Sequence, residues 1–320
     1  MKNRFLILLS FVLIVGRDVV CANTSMVRER ININRDWRYQ IDDPDGVGAA
    51  LHYSRLKPYL LPCANDFIIF GKRYQRPEGN PGENIAYVKS DFDDSEWRHL
   101  NLPHDWAIEG PFNIDYNGST GKLPYWGIRW YRKTLELSQD DAGKQIYLDI
   151  DGAMSYVSVW CNGQYVGGWP YGYASFRLDL TPYIKAGQKN VLAIRLDNPD
   201  DTSRWYPGSG IYRNVWLVKT SPVHVEQWGT FVRNQQVDSE IAVMEMGVNI
   251  ENHAGKDVQV KLQTSVYLQG KDGRPVGEEV TQSMTKDIAI KKDSWSSARF
   301  QFKVDKPKLW DIDTPNCYVA

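Results

Sequence analysis

Short runs of alternating apolar and polar residues fill the middle of the chain. The clearest runs are 130–137, 145–151 and 190–198. In the second run, Ile146, Leu148 and Ile150 are expected on one face, as in an antiparallel strand with one buried side. No segment longer than a turn or two has the apolar spacing of an amphipathic helix. The pattern therefore predicts an all-β fold made of short strands.

A hairpin and an opening strand extend this pattern. Asn162-Gly163 separates two strand-like runs, 156–161 and 164–166, and this dipeptide is the strongest short-range signal for a two-residue hairpin turn. Residues 30–37 also alternate and are predicted to form one strand. Short strands at this spacing favour a jelly-roll β-sandwich, which we place at residues 28–220.

The composition changes after residue 220. Residues 221–320 contain fewer aromatics, and further strands are predicted at 243–251, 258–268 and 297–304. About 100 residues is the usual size of an immunoglobulin-like β-sandwich, which is the second predicted domain. The sequence stops within what should be the last strand of that sandwich. Since an unpaired strand edge is unfavourable, we expect Ala320 to be a truncated end.

Residues 42–84 are hard to interpret. They are rich in Gly, Pro, Asp and Asn, with one apolar island at 67–70. A long segment of this kind is either a surface insertion or an irregular excursion that closes over a pocket. Both interpretations stay open at the level of the sequence.

The first 22 residues are predicted to be a cleaved export signal. Lys2 and Arg4 precede an apolar run at 5–16, which is too short to span a bilayer, and small residues follow near Cys21. A lipid anchor on Cys21 is the second interpretation. Simple cleavage and export is preferred, because Val20 stands where lipoprotein signals usually carry a smaller residue.

Charge and cysteine content argue against several classes of function. The net charge is -1 with 24% charged residues, which argues against binding to nucleic acid or to membrane surfaces. The four cysteines, at positions 21, 63, 161 and 317, are far apart. Their spacing predicts neither a disulfide framework nor a metal site.

The stretch 204–213 carries the strongest candidate chemistry. Arg204, Trp205 and Tyr206 precede a proline and two glycines, a composition typical of a shaped loop. Aromatic faces stack on the apolar side of a sugar ring, and guanidinium groups donate paired hydrogen bonds to hydroxyls or carboxylates. The alternative is a packed turn between strands, whose aromatic residues complete the core.

Four separated motifs resemble the N-terminal region of glycoside hydrolase family 2, in the order of that family. They are 101–106, 127–133, 151–163 and 204–213. The Arg-Trp-Tyr-Pro-Gly string resembles the β-galactosidase type of glycan-degrading bacteria more than β-glucuronidases or β-mannosidases. The resemblance implies a sugar-binding, galactose-binding-like jelly roll, an immunoglobulin-like sandwich and then a catalytic barrel. It also implies an exported protein of the bacterial periplasm or cell surface.

The implied activity is that of a retaining β-galactosidase acting on terminal β-galactosides of glycans. Hydrolysis of a glycosidic bond with retention of the anomeric configuration needs two carboxylates about 5 Å apart. In the family both are glutamates of the barrel, and no Asp or Glu of this chain matches their motifs. No catalytic residue is therefore assigned, and these 320 residues alone are expected to be inactive. The implied partners are a carbohydrate and the barrel of the full-length chain.

The resemblance also implies binding residues, because loops of this domain reach the sugar pocket in relatives. The six expected sugar-binding residues are Arg204, Trp205, Tyr206, Tyr125, Trp126 and Arg129. For the last three, packing of the loop at 113–130 against its own domain is the alternative. Some β-galactosidases place an acidic, cation-contacting residue where Ser203-Arg204 stands here. A requirement for a monovalent or divalent cation therefore stays open, and no cofactor is assigned.

His104 and Asp105 suggest an acid–base pair, since an adjacent His and Asp can polarise a bound hydroxyl. Consecutive side chains on an extended segment point to opposite faces, which argues against joint action. A structural hydrogen-bonding role for both residues is the preferred interpretation.

Other functions stay open beside the hydrolase. The chain could be a non-catalytic carbohydrate-binding protein, or an adhesion module that binds polymers through exposed aromatic residues. Within the family, a β-glucuronidase or β-mannosidase is the alternative. The sequence also leaves open whether the protein forms a homo-oligomer.

Overall fold

A computed structural model describes residues 28–67, 72–200 and 203–320, so the predicted export signal and Cys21 lie outside the described residues. The described chain is built mostly from strands. The first ten are β1 Arg28–Asn32, β2 Trp37–Ile41, β3 Arg98–Leu100, β4 Gly127–Glu136, β5 Gln145–Ile150, β6 Val157–Cys161, β7 Gln164–Trp169, β8 Phe176–Asp179, β9 Lys189–Asn198 and β10 Val215–Thr220. The other eight are β11 Val223–Val237, β12 Ile241–Asn252, β13 Val258–Thr264, β14 Tyr267–Gln269, β15 Pro275–Val276, β16 Met284–Ile290, β17 Ser294–Asp305 and β18 Tyr318–Val319.

Helical structure is limited to short pieces among the described residues. One α-helix, α1, spans Tyr53–Leu60. The 3-10 helices are Gly48–Leu51, Leu61–Phe67, Ala86–Val88, Ala107–Glu109, Gly118–Thr120 and Gln139–Asp141. In the part of the chain that the structure describes, no helix has the length and apolarity to cross a membrane.

The first sandwich packs a six-stranded sheet on a four-stranded one. The larger sheet has the order β3-β2-β4-β9-β6-β7 and the smaller one the order β1-β10-β5-β8. Their facing side chains form one large core in which Leu148, Ile194 and Val215 are fully buried. Antiparallel strands with alternating inward residues produce such a core between two layers.

The second sandwich has smaller sheets. Its three sheets have the orders β11-β12-β17, β13-β16 and β15-β14-β18. From Ser297 to Asp305, strand β17 alternates between exposed and buried residues, and its Phe300 and Phe302 lie in the core with Ile250 and Ile290. The all-β prediction, with a jelly-roll sandwich followed by an immunoglobulin-like one, is confirmed.

The local predictions had mixed outcomes. Asn162 and Gly163 form the predicted hairpin turn, with φ of 51° and 79°. The single strand predicted at 30–37 is wrong, because Asp36 turns the chain at φ 58° and β1 and β2 lie in different sheets.

The predicted half-burial of β5 is also wrong. Tyr147 and Asp149, on the face expected to be exposed, are both buried. Arg177 stacks over the Tyr147 ring at 4.6 Å and makes a bidentate ion pair with Asp149. These partners cover a face that the alternation alone assigns to solvent.

Residues 42–67 and 72–97 form a covering segment on the outer face of the six-stranded sheet. Leu56 and Leu60 of α1 pack there in a second core that contains the indoles of Trp130 and Trp160. Those two rings stack with centroids 5.4 Å apart. The sequence showed no amphipathic helix pattern longer than a turn or two, whereas α1 has eight residues, slightly more than two turns. Its two buried leucines are too few to produce a periodic signal.

Two buried arginines hold this covering segment to the sheet. Arg195 on β9 bonds both oxygens of Asp43 at 2.8 Å, and the Trp130 indole donates to the same carboxylate at 2.8 Å. Arg132 on β4 bonds Asp94 at 2.7 Å. Buried guanidinium groups need such partners, because an uncompensated charge is strongly unfavourable in the interior.

The two sandwiches meet at a histidine and glutamate cluster. His224 and His253 both contact Glu251 Oε2, at 3.3 and 3.4 Å, and the Tyr147 hydroxyl lies 3.5 Å from His224. The hydrogen bonds from the two histidines lower the pKa of Glu251 to about 2. The bond to Glu251 in turn raises the pKa of His253.

We expect Asp43→Asn to lower the free energy of unfolding by about 3 kcal/mol, because the buried Arg195 charge loses its bidentate carboxylate and keeps the longer contact with Asp197 at 3.4 Å. Asp42→Asn is the matched control, since the neighbouring Asp42 side chain is 79% exposed. It should change stability by no more than about 0.5 kcal/mol. Urea unfolding followed by tryptophan fluorescence measures both, and equal losses would contradict this role for the buried pair.

We expect the contribution of the Glu251 cluster to depend on pH. The lowered pKa of Glu251 gives stability that is present above its ordinary value of 4.5 and lost as pH falls towards about 2. The raised pKa of His253 gives stability that is present below 6.5 and lost as pH rises through the folded-state value. Glu251→Gln should therefore cost about 2 kcal/mol near pH 6 and much less near pH 3.

Unfolding free energies of the wild type and Glu251→Gln at several pH values measure this effect. Glu240→Gln is the control, because Glu240 is exposed and should show no such trend. A gap between wild type and Glu251→Gln that stays constant from pH 3 to pH 6 would refute the coupling.

Candidate functional site

A cluster of loops at one end of the first sandwich contains the 204–213 stretch. The segment that follows β9 is anchored by Asn198, whose side-chain amide donates to the carbonyl oxygens of Tyr125 and Gly208 at 2.8 and 3.2 Å. Ser209 Oγ donates to the same Tyr125 carbonyl at 2.8 Å. These two side chains and two carbonyl groups thus satisfy each other in the interior, which fixes the loop.

Gly210 lets the loop pass close to its neighbours. It exchanges two backbone hydrogen bonds with Met154, of 2.9 and 3.2 Å, at a φ of 83°. A Cβ atom at this position would lie 2.5 Å from the His104 carbonyl oxygen and 2.6 Å from the Tyr131 hydroxyl. Only glycine fits both the space and the left-handed backbone conformation.

The anchored loop forms one wall of a cleft of about 590 Å³. Side chains from three loops line it. They are Met154, Ser155, Tyr156, Pro170, Tyr171, Tyr173, Ser203, Arg204, Trp205 and Pro207. The Trp205 ring is 61% exposed, and its indole nitrogen donates to the Tyr173 hydroxyl at 3.3 Å. The cleft therefore presents aromatic faces and one guanidinium group to solvent.

Tyr206 lies behind this cleft and anchors it. Its hydroxyl donates to Asp105 Oδ2, and its ring packs against the main core. Burial, followed by the bond to Asp105, raises the pKa of Tyr206. Burial also raises the pKa of Asp105. The Tyr206 hydroxyl thus stays protonated and acts as a hydrogen-bond donor.

His104 and Asp105 have separate partners. His104 Nδ1 lies 2.7 Å from the Tyr131 hydroxyl and Nε2 lies 3.3 Å from Glu109, whereas Asp105 bonds Tyr206 and the Ala107 amide. Burial lowers the pKa of His104. The structure therefore agrees with the predicted hydrogen-bonding role and does not bring the two side chains together.

The other three expected binding residues lie elsewhere. Tyr125 is fully buried and its hydroxyl donates to Asp200 at 2.7 Å, so its ring supports the loops from below. Trp126 is half-buried, with its ring edge-on to Tyr125. Arg129 bonds the Tyr39 hydroxyl at 3.0 Å. None of the three is among the residues that line the cleft.

Sequence reasoning missed the tyrosines that line the cleft together with Trp205. Tyr171 and Tyr173 are 60% and 43% exposed, and Tyr156 lines the cleft beside them. The segment 167–173 has the same mixture of glycine and aromatic residues as the 204–213 stretch. That shared composition was the available signal for a second wall.

The arrangement suits binding rather than bond cleavage. Exposed aromatic rings stack on sugar rings, and a guanidinium group bonds hydroxyls or carboxylates. None of the described residues that line the cleft is Asp or Glu. Within residues 28–67, 72–200 and 203–320, no group of three or more His, Cys, Asp or Glu side chains is arranged to hold a metal ion.

Two family models match most of the chain. "Glycosyl hydrolases family 2, sugar binding domain" matches residues 86–221, and "Glycosyl hydrolases family 2" matches residues 223–320. The first covers the strands that carry the cleft, and the second covers the smaller sandwich.

Two curated relatives carry different activities in their names. The chain is 40% identical over 303 residues to "Beta-galactosidase BoGH2A" of Bacteroides ovatus, covering 93% of this chain and 30% of the relative. It is 34% identical over 265 residues to "Putative beta-glucuronidase" of Formosa agariphila, covering 79% of this chain and 24% of the relative. The chain thus spans less than a third of the length of these relatives.

Solved structures agree with the fold. A glycosyl hydrolase family 2 member from Bacteroides cellulosilyticus matches with a TM-score of 0.70 and 26% identity, over 90% of this chain and 32% of that one. A β-glucuronidase from Bacteroides uniformis matches with a TM-score of 0.68 and 25% identity, over 91% of this chain and 29% of that one.

We expect Gly210→Ala to destabilise the protein by about 3 kcal/mol or more, because the new methyl group adds a steric clash to an unfavourable backbone conformation. Gly46→Ala is the matched control: its φ is 84°, and a Cβ atom there would meet nothing within 4 Å. That control should cost only about 1 kcal/mol. Thermal and urea unfolding measure both variants, and similar losses would show that crowding at Gly210 is unimportant.

Proposed function

The chain belongs to glycosyl hydrolase family 2, and on this basis we propose that it is the sugar-recognition part of an exported retaining β-galactosidase. The substrate would be a glycan with a terminal β-galactoside. In this proposal, residues 28–220 bind the sugar and residues 221–320 support a catalytic barrel of the full-length chain. The export signal at 1–22 would direct the protein out of the cytoplasm.

The observation that carries this proposal is the aromatic cleft. Trp205 is 61% exposed on a loop that Ser209 and Gly210 anchor in the interior, and Tyr171 and Tyr173 line the same cleft. A rigid backbone that holds aromatic rings in water favours a ligand with flat apolar faces and many hydroxyls. A pyranose has both.

Two carboxylates about 5 Å apart would have to come from outside this cleft for cleavage with retention. We propose that both are glutamates of the barrel, one protonating the leaving oxygen and one attacking the anomeric carbon. The chain of 320 residues should then bind a galactoside without hydrolysing it. Hydrolysis by this chain alone would overturn the assignment.

A β-glucuronidase is the second candidate, and Arg204 is the reason. Arg204 is exposed at the cleft, and a guanidinium group there could pair with the carboxylate of a glucuronide. The galactoside is preferred because the Arg-Trp-Tyr-Pro-Gly string resembles β-galactosidases. Assays of the full-length protein on aryl β-galactosides and aryl β-glucuronides discriminate between the two, and preferred hydrolysis of the glucuronide would reject the galactosidase proposal.

We expect Trp205→Ala to weaken galactoside binding about tenfold, because it removes the stacking face, while folding is unchanged. Trp295→Ala is the matched control, since Trp295 is also 61% exposed but lies on the second sandwich. Titration calorimetry on this chain, or KM on the full-length protein, measures the effect. Equal effects of the two substitutions, or none from Trp205→Ala, would place sugar recognition elsewhere.

A further inference from the structure

A second cleft, of about 380 Å³, lies between the two sandwiches. One wall comes from β5, β8 and the 3-10 helix Leu61–Phe67 of the first sandwich. The other wall comes from β11 and the end of β12 in the second. It is distinct from the aromatic cleft described above, because the two share no lining residue.

A bulge of four residues in β11 forms the second wall. Val225 pairs with Ile250 and Thr230 pairs with Val248, so residues 226–229 stand opposite a single residue of β12. Asn249 Nδ2 donates to Glu226 Oε2 at 2.9 Å across the bulge. Bulges of this kind bend a strand and redirect its side chains. Here the bulge directs Glu226, Gln227 and Trp228 into the cleft.

Trp228 is held in an unusual position. Its φ is 53°, a backbone conformation that costs free energy for a residue other than glycine. Its ring lies 6.1 Å from Phe67, yet the residue remains 62% exposed. Simple packing of the two domains would bury such a ring, so the contact with Phe67 leaves an aromatic face open to a ligand.

The polar groups of the cleft complement this aromatic face. Arg177 is neutralised by its bidentate pair with Asp149. The remaining charged lining consists of the carboxylates Asp179, Glu226 and Glu251 beside the His253 ring. Excess carboxylate disfavours an anionic ligand. The Gln227 amide adds donors to these acceptors, and a mixture of donors and acceptors suits hydroxyl groups better than a bare cation.

We propose that this cleft, with Phe67, Arg177, Asp179, Glu226, Gln227 and Trp228 around it, is a second carbohydrate site that binds a neutral oligosaccharide segment. The Trp228 face stacks on a sugar ring, and the carboxylates and the amide bond its hydroxyls. The site is independent of the terminal sugar bound in the first cleft. It would hold a glycan chain at a point remote from its cleaved end.

The test uses titration calorimetry of this chain with neutral β-1,4-galactotetraose, in a Trp205→Ala background that weakens the first cleft. Binding should remain in that background and should fall about tenfold or more when Trp228→Ala is added. Unchanged binding in the double variant would overturn the proposal. Binding that vanishes with Trp205→Ala alone would also overturn it, because a single site would then explain all of the affinity.

Two further measurements address folding and ligand class. Gln227→Ala leaves the ring in place and should weaken the residual binding a few-fold without changing the melting temperature. The same β-1,4-galactotetraose oxidised at C6 to carry carboxylates should bind more weakly than the neutral probe. Tighter binding of the acidic probe, or neutral binding that falls steeply with salt, would reject a site for neutral sugar. If the first cleft binds no galactoside, the effect of Trp228→Ala on oligosaccharide binding can still be measured. The two proposals can therefore fail separately.

Discussion

The side-chain amide of Asn198 holds together the loops on which the candidate site depends. Its nitrogen donates to carbonyls from two different loops, those of Tyr125 and Gly208, and its oxygen accepts from Ser155 of a third. Asn198 is buried at the end of β9, so a movement of its amide would break one hydrogen bond to each of three loops in the interior. A central strand of the six-stranded sheet thus fixes the geometry of the cleft. Buried hydrogen-bonding groups position the loops that carry its exposed rings.

That strand is itself fixed from outside. The covering segment, residues 42–67 and 72–97, lies on the outer face of the sheet, and the buried Arg195 and Arg132 side chains pair with its Asp43 and Asp94 carboxylates. Strands β4 and β9 are therefore packed on both faces, which restricts their motion to that of the whole sheet. The covering segment is irregular, yet it is part of the scaffold, because the buried guanidinium groups on the sheet need its carboxylates and carbonyls as partners. The aromatic cleft is carried by loops, yet the strands that hold those loops are rigid.

Alternation along the chain predicted most strands because one buried face imposes a period of two. It failed where another element covered the second face, as at Tyr147 and Asp149, since burial by a distant arginine leaves no local pattern. The same reasoning applies to the site. The 204–213 stretch could be identified by its composition, whereas its pairing with Tyr171 and Tyr173 depends on which loops the sheet order brings together. Contacts across sheets and domains are therefore the part that local sequence does not encode.

The 204–213 stretch has residues that build the loop and residues that reach the cleft. Tyr206, Ser209, Gly210 and Ile211 point into the scaffold, where a hydrogen bond, a close backbone contact or core packing constrains each of them. Arg204 and Trp205 point into the cleft. Four of these ten residues therefore hold the loop in place and are not available to a ligand in the cleft. The side chains that leave the scaffold are the ones open to the cleft, and Arg204 is the one cationic residue among the described residues that line it.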